Sequence, residues 1–133
     1  MSQNTIYLLL GSNLNDRKKN LEMAKMHIQK ELGEILKVSE IIETEPEGFE
    51  SEHPFLNQTI VIQTNLSPVN LLTKIKEIEY RMGRVYLHTE QKYQDRIIDI
   101  DILLYNQIIF ESTLLSIPHH QIISRKFVKK ILN

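Results

Sequence analysis

The chain has 133 residues, a length that suits one domain with a real core. Sixteen basic side chains against seventeen acidic ones leave a net charge of −1, which is no footprint for nonspecific nucleic-acid binding. Cysteine is absent, so disulfides, zinc–thiolate sites and cysteine nucleophiles are excluded. No apolar run approaches transmembrane length, and Met1-Ser-Gln-Asn-Thr5 lacks the basic start and apolar centre of a signal peptide. The expectation is a monomeric, cytoplasmic protein formed as one domain over residues 1–133, with neither nucleic acid nor membrane as a partner.

Ile6 to Leu10 is a short apolar run stopped by Gly11-Ser12-Asn13 and reads as a buried strand entering a tight turn. Asn15 or Asp16 can cap the helix that follows, whose stripe is Leu21, Ala24, Ile28 and Leu32. Gly33 is its expected stop. A second strand is predicted over Leu36 to Thr44. The stretch from Glu45 to Pro54 has two prolines, a glycine and no period, so it is a loop, and its length favours a functional one.

Phe55 to Thr64 alternates and reads as a third strand, with Leu56, Ile60 and Ile62 on one face and Asn57, Thr59 and Gln63 on the other. Ser67-Pro68 is a helix start, Leu71, Leu72, Ile75, Ile78 and Met82 form its core stripe, and Gly83 closes it. Lys76, Glu77 and Glu79 read as solvated charge near its end. Arg84 to Asp95 is a second long, polar loop.

Ile97 to Leu104 is aliphatic except at Asp99 and Asp101, and β-branched residues make it a strand. Side chains two apart point the same way, so Ile98, Ile100, Ile102 and Leu104 share one face and the two acids the other. At a rise of roughly 3.3 Å per residue the two Cβ atoms lie about 7 Å apart. Two ionised carboxylates that close repel unless cations sit between them. The spacing suits a pair of Mg²⁺ ions, which take oxygen ligands and complete their shells with water and phosphate. For a bare Asp-x-Asp two solvated acids are the commoner outcome. Arg96 beside the pair shifts the balance, because a guanidinium there is a natural phosphate ligand. Beyond it, Ile108 to Phe110 suggests a short strand, Pro118 a stop, and Gln121 to Leu132 a helix.

The order strand, helix, strand, strand, helix, strand predicts an α+β, ferredoxin-like βαββαβ sandwich, with an antiparallel sheet, helices on one face and the other face open. Asn57, Asp99 and Asp101 all carry the parity of the open face.

The strand from Arg96 to Leu103 resembles the signature of the 6-hydroxymethyl-7,8-dihydropterin pyrophosphokinases of folate biosynthesis. Gly11-Ser-Asn-Leu14 resembles that family's opening motif, and Thr44-Glu-Pro46 and Phe55-Leu-Asn57 its pterin-binding segments. Gly83-Arg84 resembles the start of its mobile loop, and Ile117-Pro-His119 with Ser124-Arg-Lys-Phe127 its late nucleotide motif. Six pieces in order span essentially the whole chain. Gln94-Asp95, Tyr93, Tyr86 and Glu47 depart from the usual residues, and the apolar, proline-containing tail common in the family has no counterpart after the last helix.

The resemblance implies transfer of diphosphate from ATP to the hydroxymethyl group of a reduced pterin, releasing AMP. It implies two Mg²⁺ ions on Asp99 and Asp101, with Arg84 and Arg96 as phosphate clamps. On its own Arg84 is a cation at a helix C-terminus, mildly stabilising there. Ile98, His119 and Arg125 would join Arg84 and Arg96 in binding ATP. Thr44, Pro46, Phe55, Asn57, Tyr93 and Phe127 would bind the pterin, Asn57 through an amide able to donate and accept. Phe55 is nearly as plausible as a core residue. Two competing readings are a non-catalytic ferredoxin-like binding module and another Mg²⁺-dependent phosphoryl or nucleotidyl transferase. Fold alone does not choose among them.

Overall fold

The computed structural model describes residues 3–45, 53–83 and 96–106 with their side chains, and the backbone alone at 110–111 and 116–117. The elements are β1 (Asn4–Ser12), α1 (Arg17–Glu31), β2 (Glu34–Val38), β3 (Ile42–Thr44), β4 (Phe55–Thr64), α2 (Pro68–Arg81), β5 (Asp99–Tyr105), β6 (Phe110–Glu111) and β7 (Ser116–Ile117). The main sheet runs β2-β4-β1-β5, with β3 also on β4, and every pairing is antiparallel. The ferredoxin-like α+β order is therefore the observed one. β6 and β7 pair with each other; β7 has no signal in the sequence reading, and the helix expected over 121–132 lies outside the described residues.

Aliphatic parity builds the core. Ile6, Leu8 and Leu10 of β1, Ile60 and Ile62 of β4, and Ile100 and Ile102 of β5 all pack toward the helices. Leu21, Ala24 and Ile28 of α1 and Leu71, Ile75 and Ile78 of α2 close over them. Each large side chain buried there contributes about 1.5–3 kcal/mol of transfer free energy. Asp16 caps α1 by accepting from the Lys19 amide at 3.1 Å, and Ser67 caps α2 by accepting from Asn70 at 3.2 Å.

Three departures have local causes. The single strand predicted over Leu36 to Thr44 is two strands, because Ser39 takes over the ladder. Its Oγ accepts from the Thr59 amide at 2.9 Å while its own amide donates to the Thr59 carbonyl. In β5 the parity breaks: Ile102 pairs with Leu8 but Leu104 with Tyr7, leaving Leu103 as an extra residue. This bulge turns Tyr105, not Leu104, into the core. Gly33 follows α1 as expected, but for another reason. A Cβ on it would lie 1.8 Å from the Gln63 carbonyl oxygen, so the position demands close backbone approach.

Candidate active site

The site forms where register places three strands in one row. Asn57 of β4 pairs with Gly11 of β1, and Gly11 pairs with Asp99 of β5. Cross-strand partners present side chains on the same face, so Asn57 and Asp99 flank a glycine with none. At about 4.8 Å per strand spacing they stand roughly 10 Å apart. A Cβ on Gly11 would lie 3.4 Å from Asn57 Oδ1 and 3.5 Å from Phe55 Cδ1. The glycine therefore keeps a clear floor between an amide and a carboxylate. The next row holds Thr59, Leu9 and Asp101.

Asp99 and Asp101 are half-buried and face away from Ile98, Ile100 and Ile102, as parity requires. Arg96 Nη1 donates to Asp99 Oδ2 at 3.1 Å. Asn13 fixes the Arg96 backbone from two sides: its Oδ1 accepts from the Arg96 amide at 2.7 Å, and its own amide donates to the Arg96 carbonyl at 3.1 Å. Asn13 Nδ2 also donates to the His53 carbonyl at 3.1 Å. One buried asparagine thus ties the start of the acidic strand to the approach of β4. Arg17 holds the same approach, donating to the Pro54 carbonyl at 2.9 Å and to Glu43 at 3.1 Å.

Asn57 is buried, and its Nδ2 donates both to the Ile42 carbonyl at 3.1 Å and to Thr44 Oγ1 at 2.8 Å. A carbonyl can only accept, so the amide orientation is settled by its partner. Both donor hydrogens are committed to β3, and Oδ1 is the atom turned toward Gly11. Thr44 is half-buried and braces Asn57. Phe55 is half-buried against the same floor. The far face is not bare sheet, since Asn57, Thr59, Leu9 and Leu103 are all buried.

Ile98 is fully buried in the core cluster, so its side chain is not open to a ligand. Arg84, Tyr93, Pro46, His119, Arg125 and Phe127 lie outside the described residues. Gly83, with φ +100°, ends α2, and a Cβ on it would come within 3.1 Å of Ile97 Cδ1. Gly83 and the Ile97 side chain are therefore close neighbours.

Glu79 is not the solvated charge expected from the sequence. It is buried, with 1% of its surface exposed, and its Oε2 accepts from the Ile100 amide at 2.8 Å. The signal was present: Glu79 stands four residues after Ile75 and three before Met82, on the helix face that meets the core. Lys76 and Glu77 are exposed, as expected.

No three His, Asp or Glu side chains converge as a metal-binding group among the described residues. Two half-buried carboxylates on one face nevertheless suit a hard cation that takes few protein ligands and fills its shell with water and phosphate. The donor set fits Mg²⁺ held together with a nucleotide.

Residues 7–133 match the model of the family described as 7,8-dihydro-6-hydroxymethylpterin-pyrophosphokinase. The chain is similar to the 2-amino-4-hydroxy-6-hydroxymethyldihydropteridine pyrophosphokinase of Porphyromonas gingivalis, with 42% identity over 129 residues, covering 96% of this chain and 88% of that one. The enzyme of the same name from Bacillus subtilis is 37% identical over 126 residues, covering 94% and 74%. Among solved structures, a wild-type Plasmodium falciparum HPPK-DHPS chain superposes with a TM-score of 0.74 at 20% identity. That match covers 99% of this chain and 40% of the solved one, and at that identity it bears on the fold alone. With the sequence match extending from the first strand to the last residue, the chain belongs to the 7,8-dihydro-6-hydroxymethylpterin-pyrophosphokinase family.

Proposed function

We propose that this chain is a pterin pyrophosphokinase of folate biosynthesis, a transferase that moves diphosphate from ATP to 6-hydroxymethyl-7,8-dihydropterin as one unit over residues 1–133. The pterin alcohol oxygen attacks the β-phosphorus, the bond from that phosphorus to the α-phosphate oxygen breaks, and AMP leaves while the alcohol gives up its proton. Such transfers depend on positioning and charge neutralisation more than on covalent catalysis.

What supports the assignment of parts is the row Asn57–Gly11–Asp99. Asn57 Oδ1 accepts from a pterin N–H on one side of Gly11, and Phe55 supplies apolar contact beside it. Thr44 keeps the Asn57 amide in that orientation. On the other side Asp99 and Asp101 would hold two Mg²⁺ ions, which supply charge neutralisation of the triphosphate and polarisation of the hydroxyl. Arg96, anchored by Asn13, clamps phosphate. Arg84, Ile98, His119 and Arg125 complete ATP binding, and Pro46, Tyr93 and Phe127 complete pterin binding. The protein works as a cytoplasmic monomer on small molecules; among the described residues no helix is long and apolar enough to cross a membrane.

Incubation with ATP, Mg²⁺ and hydroxymethyl-dihydropterin tests the reading. AMP formed only when the pterin is present is the expected result. ADP or pyrophosphate release would point to another transferase, and no turnover to a binding module.

A further inference from the structure

β5 ends the sheet path, with β1 on one side of it. Amides along an antiparallel strand point alternately to its two edges, so among the described residues those at the outer edge have no ladder partner. Ile100 carries one of these, between Asp99 and Asp101. Its N–H donates at 2.8 Å to Glu79 Oε2, on a side chain reaching from the last turns of α2 and 1% exposed. Water could satisfy an edge amide at far lower cost than a buried carboxylate, which must be desolvated to be there. That cost calls for a reason.

We propose that Glu79 is a positioning residue for the acidic pair. By holding the Ile100 amide it fixes the Asp99–Ile100 peptide plane, and with it the backbone between the two acids from which both carboxylates leave the strand. Paired cations roughly 3.5–4 Å apart tolerate little play in their ligands, and a productive site needs its groups held within about 0.5 Å. Glu79 lies behind the sheet edge, where it supports the acids without joining them on the ligand face. The proposal rests on the assignment of Asp99 and Asp101 as metal ligands.

The test compares the 133-residue chain with D99N, E79Q and E79D. Mn²⁺ affinity is measured by electron paramagnetic resonance in the presence of a non-hydrolysable ATP analogue, alongside hydrogen exchange at the Ile100 amide and melting temperature. Equal Mn²⁺ affinity in wild type and D99N would remove the metal assignment itself, whatever the Glu79 variants do. With that assignment standing, reach and charge separate. E79Q keeps the length and the accepting oxygen and is expected to stay within about threefold of wild type. E79D keeps the charge but is one methylene short. It is expected to lose Ile100 protection and about tenfold in Mn²⁺ affinity, the scale of one lost hydrogen bond. E79D within twofold of wild type, or E79Q losing as much as E79D, would overturn the proposal. A fall in melting temperature with unchanged Mn²⁺ affinity would do the same, leaving Glu79 a purely structural residue.

Discussion

Arg96 and Asp99 neutralise each other, Nη1 to Oδ2 at 3.1 Å, with side chains only 10% and 22% exposed. Under the proposed assignment, the pair sets a phosphate-binding cation on a metal-binding acid. When nucleotide and cation arrive together, Asp99 can pass to the metal and Arg96 to the phosphates, and no charge is left uncompensated. Arg96→Met separates the two roles. A charge-assisted hydrogen bond is worth roughly 1.5–3 kcal/mol, so turnover should fall about 10- to 100-fold. Mn²⁺ affinity without nucleotide should hold or rise, because a competing cation has been removed from Asp99. Steady-state kinetics with a Mn²⁺ titration checks both. Parallel losses in the two measurements would make Arg96 a brace and not a phosphate ligand.

Asn57 is committed twice over to β3, through Ile42 and Thr44. Asn57→Ala removes the acceptor facing Gly11 and leaves the Ile42 carbonyl without its side-chain donor. The expected cost to pterin affinity is roughly 1–3 kcal/mol, about one to two decades, with a lower melting temperature. Affinity for an ATP analogue should change by less than about threefold, since two strand spacings separate Asn57 from Asp99. Thr44→Val spares the acceptor and loosens only its brace, so its pterin loss should be the smaller. Calorimetry with each ligand alone distinguishes these outcomes, and equal losses of both ligands in Asn57→Ala would speak for a fold defect.

Gly33→Ala tests the close approach of α1's end to β4. A methyl there would lie 1.8 Å from Gln63 O and 2.8 Å from Gln63 C, both backbone atoms that can yield only if the strand moves. Overpacking of this kind costs about 1–3 kcal/mol, and the upper end is expected, read by denaturant unfolding. Gln63 pairs with Thr5, at the opposite end of β1 from Gly11. The folded fraction should therefore keep its pterin affinity. An unfolding midpoint equal to wild type would show that the approach is not tight.

The fold was largely legible because period-2 and period-3.6 patterns report burial directly. Ile100 against Asp101, and Leu21, Ala24 and Ile28 on one stripe, are consequences of that arithmetic. Ser39 and Leu103 show where it stops. A serine that replaces a ladder acceptor, or an extra residue opposite Tyr7 and Leu8, belongs to the pairing of two distant strands and leaves no local mark. Asn57 was legible by parity, but the commitment of its donors depends on where β3 docks. Glu79 obeys the same periodicity as Ile75 and Ile78, but an acidic residue near a helix end is normally solvated, so its type masks its position.

The last prediction concerns pH and the join between the helices. Glu31 ends α1 and Arg81 ends α2, and Arg81 Nη2 donates to both carboxylate oxygens of Glu31, at 2.5 and 2.7 Å. His27 Nδ1 stands 3.3 Å from Glu31 Oε2. The Arg81 hydrogen bonds hold the Glu31 carboxyl below its ordinary value of 4.5, against a smaller opposing push from burial. A depressed acid binds fewer protons folded than unfolded, so its stabilisation is present above about pH 4.5 and is lost as pH falls through the lower folded value. Arg81 is nearly half exposed, which keeps the pair within the range of about 0.2–1 kcal/mol for surface ion pairs, toward the upper end for a two-point contact. Arg81→Met should therefore cost roughly 0.5–1 kcal/mol at pH 7 and low salt. The gap to wild type should narrow below pH 4.5 and close once Glu31 is protonated in the folded chain. Urea unfolding of both proteins from pH 7 to pH 3 measures the gap. A difference that stays constant over that range would mean that Arg81 acts through its aliphatic stem and not through Glu31.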